Sequence, residues 1–206
     1  ISYDVLKRKP YFYAAAAWVF LTGISLQSIG SISIVYMTDL GLPAGFIAAT
    51  ATVSSICLTF TKILVGVSYD KRGLRFTLMA CQFAAITSYF LMAILTNSTA
   101  GMVMAMISSV LSTIAMPLET VMIPLLSNDL FGLASYNKVL GVFMAMNSLG
   151  LCLGSPLGDL YFDLFGTYKP CFWFFTALMA VVAIGYLFVI RAAYKDKMAV
   201  LSKMAE

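Results

Sequence analysis

Lys62 stands alone as a cation inside a long apolar run, in the stretch Lys62-Ile-Leu-Val-Gly66-Val-Ser-Tyr-Asp70-Lys71-Arg72-Gly73-Leu-Arg75. Lys62, Gly66 and Asp70 recur at intervals of four, so they share one helix face. A lysine at membrane depth costs about 2.5 to 3.5 kcal/mol, and its chemistry there is to hold an anionic group. Snorkelling is the competing use, but the eight residues to Asp70 span about 12 Å of helix, long for a lysine stem. Glu119 stands ten residues before Asp129, roughly 15 Å at helical rise, which matches the depth of Lys62. A Lys62–Glu119 pair lowers the cost of either charge, and an anionic solute or a proton can compete for it. The same two residues also fit a permanent structural ion pair or a protonated Glu119. Gln27, Ser31 and Asn147 are the polar side chains best suited to line a cavity beside them. Ser28, Ser108, Ser109, Ser112, Thr113 and Ser148 read as interhelical hydrogen-bonding groups.

Other chemistry is excluded by residue type. There is no His, which removes imidazole metal sites and the usual neutral-pH base. Cys57, Cys81, Cys152 and Cys171 occur singly in apolar segments and read as small buried hydrophobes with free thiols. No P-loop or GxSxG is present, so the chain is not expected to be an enzyme, to hydrolyse ATP, or to need a metal or cofactor. The Gly150 to Gly158 run lies in a span and serves helix packing, not phosphate binding.

These residues need membrane helices to position them. The composition is 61% hydrophobic and 11% charged, with mean hydropathy +0.93, against about 25% charged in soluble domains. The expected fold class is all-α, polytopic, with six transmembrane helices over about 11–36, 44–69, 76–95, 100–126, 137–160 and 170–190. Pro10 starts the first; Asp39 to Pro43, Asp70 to Arg75, Asn97 to Thr99, Ser127 to Tyr136 and Asp163 to Lys169 separate the rest. Pro117 and Pro124 should bend or break the fourth near its end. Residues 1–10 read as the end of a loop and 191–206 as a basic amphipathic tail. Tyr11, Phe12, Tyr13, Tyr36, Tyr168, Phe172 and Trp173 read as an interfacial belt, and Trp18 as packing. The chain opens at Ile1 with a polar, basic lead, so it reads as lacking a signal peptide and as cut from a longer protein. Lys7, Arg8, Lys9, Lys71, Arg72, Arg75, Lys138, Arg191, Lys195, Lys197 and Lys203 fall on the side of both termini, Lys169 on the other. That bias puts both termini in the cytoplasm of a cell-membrane protein, and it explains the net charge of +4 without nucleic acid.

The glycine, acid and base spacing Gly66-x3-Asp70-Lys71-Arg72-Gly73-x-Arg75, followed by a proline-bent span and a glycine-rich one, resembles the major facilitator superfamily. A G-x3-D-(R/K)-x-G-R-(R/K)-like motif joins the second and third helices of each six-helix half in that family. Gly66, Asp70, Lys71, Gly73 and Arg75 match it, while Leu74 departs where an Arg is common. The resemblance implies the C-terminal half of a twelve-helix secondary transporter, partnered by an N-terminal half, with Asp70, Lys71, Arg72 and Arg75 as a breakable cytoplasmic gate. The run Asn137-Lys138 through Gly141, Asn147-Ser148, Gly150, Pro156, Gly158 and Asp163 is similar to the monocarboxylate and oxalate/formate antiporter branch. Organic-anion carriers of that branch hold a cation shortly before the motif glycine, which maps onto Lys62. The second cation of the oxalate carriers is missing, Asn147 and Ser148 standing there instead. The implied activity is alternating-access transport of a small carboxylate with a proton or counter-solute, Glu119 serving coupling. The alternative is a half-size membrane protein, pairing with a second copy or sensing a ligand without transporting it.

Overall fold

Lys9 is extended and Pro10 occupies the first helical turn, where a missing N–H is no loss, so the first long helix begins there. The computed structural model describes residues 3–205, the side chains at 201 and 203–205 excepted. Ile1, where the sequence suggests a cut, and the side chain of Lys203 lie outside the described residues. The elements are α1 (Tyr3–Leu6), α2 (Pro10–Asp39), α3 (Ala44–Ala93), α4 (Thr99–Ala115), α5 (Pro117–Thr120), α6 (Met122–Phe131), α7 (Tyr136–Phe165) and α8 (Lys169–Ala205). By length and composition, α2, α3, α7, α8 and the stretch Thr99–Thr120 are long and apolar enough to cross a membrane.

The 50 residues of α3 are not one rod. Gly73 sits at φ 78°, ψ 174°, outside the helical region and where a side chain would be strained. Thr77 Oγ1 donates to Ser68 Oγ at 3.3 Å, although nine residues of continuous helix would separate them by about 13 Å. α3 is therefore a hairpin with limbs over residues 44–72 and 74–93. The stretch from α4 to α6 is interrupted for another reason. Pro117 and Pro124 each lack the N–H of an i→i−4 rung, and α4 stops at Ala115, α5 at Thr120. Ser98 caps the start of α4 by accepting the Gly101 N–H at 3.0 Å.

Several boundaries differ from the sequence reading, all because backbone hydrogen bonding outlasts the apolar stretch that hydropathy reports. The loop expected from Ser127 is helical to Phe131, with the buried Ser127 hydroxyl donating to Ile123 O at 2.8 Å. The expected tail from Arg191 continues α8 without a break, and residues 3–6 form a helical turn inside the expected leading loop. The aromatic belt is corrected too. Tyr11, Phe12, Tyr36, Tyr168 and Phe172 are buried, and of the seven only Tyr13 and Trp173 are exposed. Phe12 packs with Phe131 at 5.7 Å and Phe143 at 5.8 Å; Tyr36 packs with Phe172 at 5.3 Å and Tyr168 at 6.2 Å. Phe131 of α6 covers Tyr11 and Phe12, and the turn before α8 folds Tyr168 over Tyr36, so these rings fall inside the bundle and plug its two ends. Cys152 is exposed and Cys57 half-buried, so only Cys81 and Cys171 are the buried thiols expected.

α2 packs along α7, the limbs of α3 pack on α4 and α8, and α8 also contacts α2. Ser28 Oγ donates to Gly154 O at 2.8 Å across the α2–α7 seam. Ser88 and Ser108 exchange hydroxyl-to-carbonyl bonds at 2.9 Å between α3 and α4. Gln82 is the misfit of this core. It is 1% exposed, and neither its Nε2 nor its Oε1 finds a partner among the described residues. Burying an unpaired amide is unfavourable by about 1 to 3 kcal/mol. Gln82→Leu, of similar volume, is expected to raise the thermal midpoint of the purified protein by a few degrees; a lowered midpoint would show that the amide has a partner.

Candidate functional site

Glu119 lies on α5, between the two proline breaks, one turn past Met116, to whose carbonyl its own N–H donates at 3.3 Å. The Asn147 side chain on α7 is within hydrogen-bonding reach of the Glu119 carboxylate, and the Lys62 ammonium on α3 is near enough to act on its charge. No cation comes within 4 Å of Glu119 among the described residues, and its Oε2 has no hydrogen-bond partner. The Asn147 Oδ1 is likewise unpartnered and rests over the backbone of α2, 2.9 Å from where a Cβ on Gly23 would stand. Three helices thus bring a cation, a carboxylate and an amide together. Lys62 and Glu119 are each ten residues, roughly 15 Å, from Arg72 and Asp129 near one end of the bundle.

The surroundings of Lys62 decide whether it meets lipid. Val53, Ile56, Phe60, Ile63, Leu64 and Val67 are the exposed bulky apolar residues of its limb. At about 100° per residue they point some 100 to 200° away from Lys62. Ala51, Ser55 and Leu58 share its face, and they line a cleft of about 220 Å³ between α2, α3 and α4. The other walls carry Gly30, Ser33 and Met37 from α2, and Ser109, Ser112, Thr113 and Met116 from α4 and its end. Lys62 stands one turn past Leu58 on the same helix face, and Glu119 three residues past Met116, so both lie next to the cleft and outside its lining.

Gln27 and Ser31 are placed elsewhere. Ser31 Oγ donates to Gln27 O at 2.8 Å and receives the Ser155 hydroxyl at 3.0 Å, while the Gln27 side chain covers Gly154, so both belong to the α2–α7 seam. The gate residues Asp70, Lys71, Arg72, Gly73 and Arg75 are exposed around the α3 turn, with Gly66 half-buried before it. Asp70 makes no ion pair among the described residues; Arg72 lies 4.6 Å from the Phe76 ring centroid. The acid–base contacts at that end involve other residues. Lys9 pairs with Asp196 at 2.7 Å, Tyr194 Oη donates to Asp129 Oδ2 at 3.2 Å, and Lys197 Nζ donates to Asp129 O at 3.1 Å. Sequence reasoning missed Ser33, Thr50, Ser54 and Ser55 as cleft residues. The signal was the small and hydroxylated run from Ala48 to Ser55, which gives one face of α3 almost no bulk.

Searches among curated proteins and among solved structures gave no match. The sequence model of the Major Facilitator Superfamily matches residues 14–203, which takes in the α3 turn, the proline-broken stretch and the glycine-rich α7. A match over nearly the whole of an all-helical, apolar chain settles the family: the chain belongs to the Major Facilitator Superfamily, multi-pass membrane proteins that transport small solutes.

Proposed function

We propose that the protein carries a small organic anion, such as a monocarboxylate, across the cell membrane by alternating access. The observation that carries this reading is the cation, carboxylate and amide gathered from α3, α5 and α7 beside a cleft. Lys62 holds the anionic group of the solute, Asn147 orients it, and Glu119 balances the charge or takes a proton in coupling. Counting both limbs of α3 and treating α4 to α6 as one broken helix, the chain crosses the bilayer six times. The basic residues then gather at the end holding the Gly73 turn and both termini, which is the cytoplasmic end by the positive-inside rule. The chain acts as the C-terminal six-helix half, closest to the monocarboxylate and oxalate/formate antiporter branch. It closes its cavity against an N-terminal half or a second copy, with Gly66, Asp70, Lys71, Arg72, Gly73 and Arg75 forming the gate against that partner. Gln27 and Ser31 act through the α2–α7 seam, as supports of the cavity wall.

The test is counterflow in proteoliposomes made from the purified protein. Vesicles preloaded with a short-chain carboxylate are expected to accumulate the labelled compound transiently, at a rate well above protein-free vesicles. Accumulation of neutral or cationic solutes alone would overturn the anion assignment.

A further inference from the structure

A second crevice, of about 420 Å³, opens between the two limbs of α3 and α4. On the first limb its wall is a stripe at three- and four-residue spacing from Cys57 to Ser68, with Ala80 opposite on the second limb and Val110 on α4. Phe60 and Leu64 in the lining, and Phe83 and Ile107 one turn from it, are exposed, so the crevice lies on an apolar outer face. Its polar groups are spent. Thr61, Thr77 and Thr113 donate to Cys57 O, Gly73 O and Val110 O at 2.7, 3.1 and 2.7 Å. Apart from Ser68, near the turn, the remaining lining is aliphatic, aromatic or thiol, which suits hydrocarbon better than a polar solute. The end at the turn differs. Lys71 and Arg72 stand three and four residues past Ser68, on the side of the limb that carries the stripe and outside the lining itself. Phe76 stands four residues before Ala80, and the Arg72 guanidinium lies 4.6 Å from its ring centroid. Both α3 walls therefore run on into a cation resting on an aromatic ring. Among the described residues neither Lys71 nor Arg72 makes an ion pair within 4 Å, and Asp70 is turned some 200° round the helix from Ser68.

We propose that this crevice holds an acyl chain of an anionic phospholipid, whose headgroup phosphate is bound by Lys71 and Arg72 at the bilayer surface. Length and charge both argue for that occupant. From Cys57 to Ser68 the stripe covers about 16 Å of helix, against about 15 Å for one leaflet of a hydrocarbon core of about 30 Å. The two cations sit one turn beyond its end, where a headgroup begins. A net negative lipid neutralises part of their charge; a zwitterionic one brings its own cation to the same place. A protein helix laid in the crevice would cover its apolar wall and leave both cations without a partner. Lipid and partner half then share the turn, Asp70 being directed to the other side of the limb. Nothing in this proposal depends on the solute or on Lys62.

The experiment is native mass spectrometry of the purified full chain in detergent, with phosphatidylglycerol and phosphatidylcholine of the same acyl chains added at equal concentration. The protein should retain one phosphatidylglycerol per chain, preferred about thirtyfold over phosphatidylcholine, as two surface cations acting on one net negative charge would give. Lys71→Gln/Arg72→Gln should remove that preference; both side chains are exposed, so folding is not at stake. Ala80→Trp, whose ring fills the crevice from an exposed position, should lose both lipids, while Ile184→Trp on the exposed face of α8 retains them as the wild type does. Equal retention of the two lipids by the wild type, or a preference that survives Lys71→Gln/Arg72→Gln, overturns the headgroup assignment and the proposal with it. Retention that survives Ala80→Trp overturns it too, because the lipid then lies elsewhere. A wild-type dimer that holds no lipid and is split by Ala80→Trp would give the crevice to a second copy of the chain instead.

Discussion

Lys62→Ala is expected to cripple carboxylate counterflow, lowering the rate at subsaturating solute at least about thirtyfold, while expression and membrane insertion stay at wild-type levels. Asn147 and the cleft hydroxyls offer neutral dipoles, so among the described residues no side chain near Glu119 other than Lys62 supplies a positive charge. Removing one member of a desolvated charge pair costs about 2 to 5 kcal/mol of binding, which converts to roughly 30-fold to several thousandfold. Folding is spared because Lys62 makes no ion pair within 4 Å among the described residues and is exposed in the chain. The companion variant Lys62→Ala/Glu119→Gln separates two roles for the lysine. If Lys62 only neutralises Glu119, deleting both charges restores uptake. If Lys62 holds the solute, the double variant stays inactive, and that is the expected result. Lys62→Arg keeps the charge on a bulkier, planar group and is expected to retain a measurable fraction of uptake. Wild-type rates in Lys62→Ala would remove the assigned role.

The parts of this fold that the sequence shows are those set by backbone chemistry. Gly73 ends one helix and starts another because an acidic and basic turn with a glycine is hard to read otherwise, and the two prolines around Glu119 each delete a rung wherever they sit. What the sequence hides depends on which helix lies opposite. Asn147 and Glu119 are 28 residues apart on separate elements, and nothing local to either signals that they meet. Ser33 and Ser54 look like any serine in an apolar helix; that their oxygens stay unpaired is a property of the cleft, not of the serines. Tyr36 and Phe172 illustrate the opposite error. They lie at span ends, where hydropathy suggests lipid headgroups, but the end of α2 lies against the start of α8 and their rings meet inside the bundle. Gln27 and Ser31 were legible as polar, and their direction was not: they turn toward α7 because Gly154 leaves room there.

Gly150→Leu is expected to prevent assembly of the bundle, giving little monodisperse protein on size exclusion and no cooperative thermal transition. A Cβ at Gly150 would overlap Phe20 O and lie 3.0 Å from Ile24 N and 3.2 Å from Gly23 Cα, all backbone atoms of α2 that no rotamer change can move aside. Gly154 repeats the contact one turn on, where a Cβ would lie 2.7 Å from Ile24 O and 2.6 Å from Gln27 Cβ. Two helices that touch through glycine backbones are closer than the 8 to 10 Å usual between helix axes, and in lipid such close packing replaces the hydrophobic driving force. Overpacking ordinarily costs about 1 to 3 kcal/mol when side chains can shift. Here the whole α2–α7 seam must open, which also breaks the Ser28 to Gly154 bond and carries Asn147 away from Glu119. Against a total stability of about 5 to 15 kcal/mol, the loss is decisive. Gly141→Leu, on the same helix but with nothing within 4 Å of its added Cβ, is the control and is expected to behave as wild type. A Gly150→Leu protein with the wild-type elution and thermal midpoint would mean that α2 and α7 do not meet at this position.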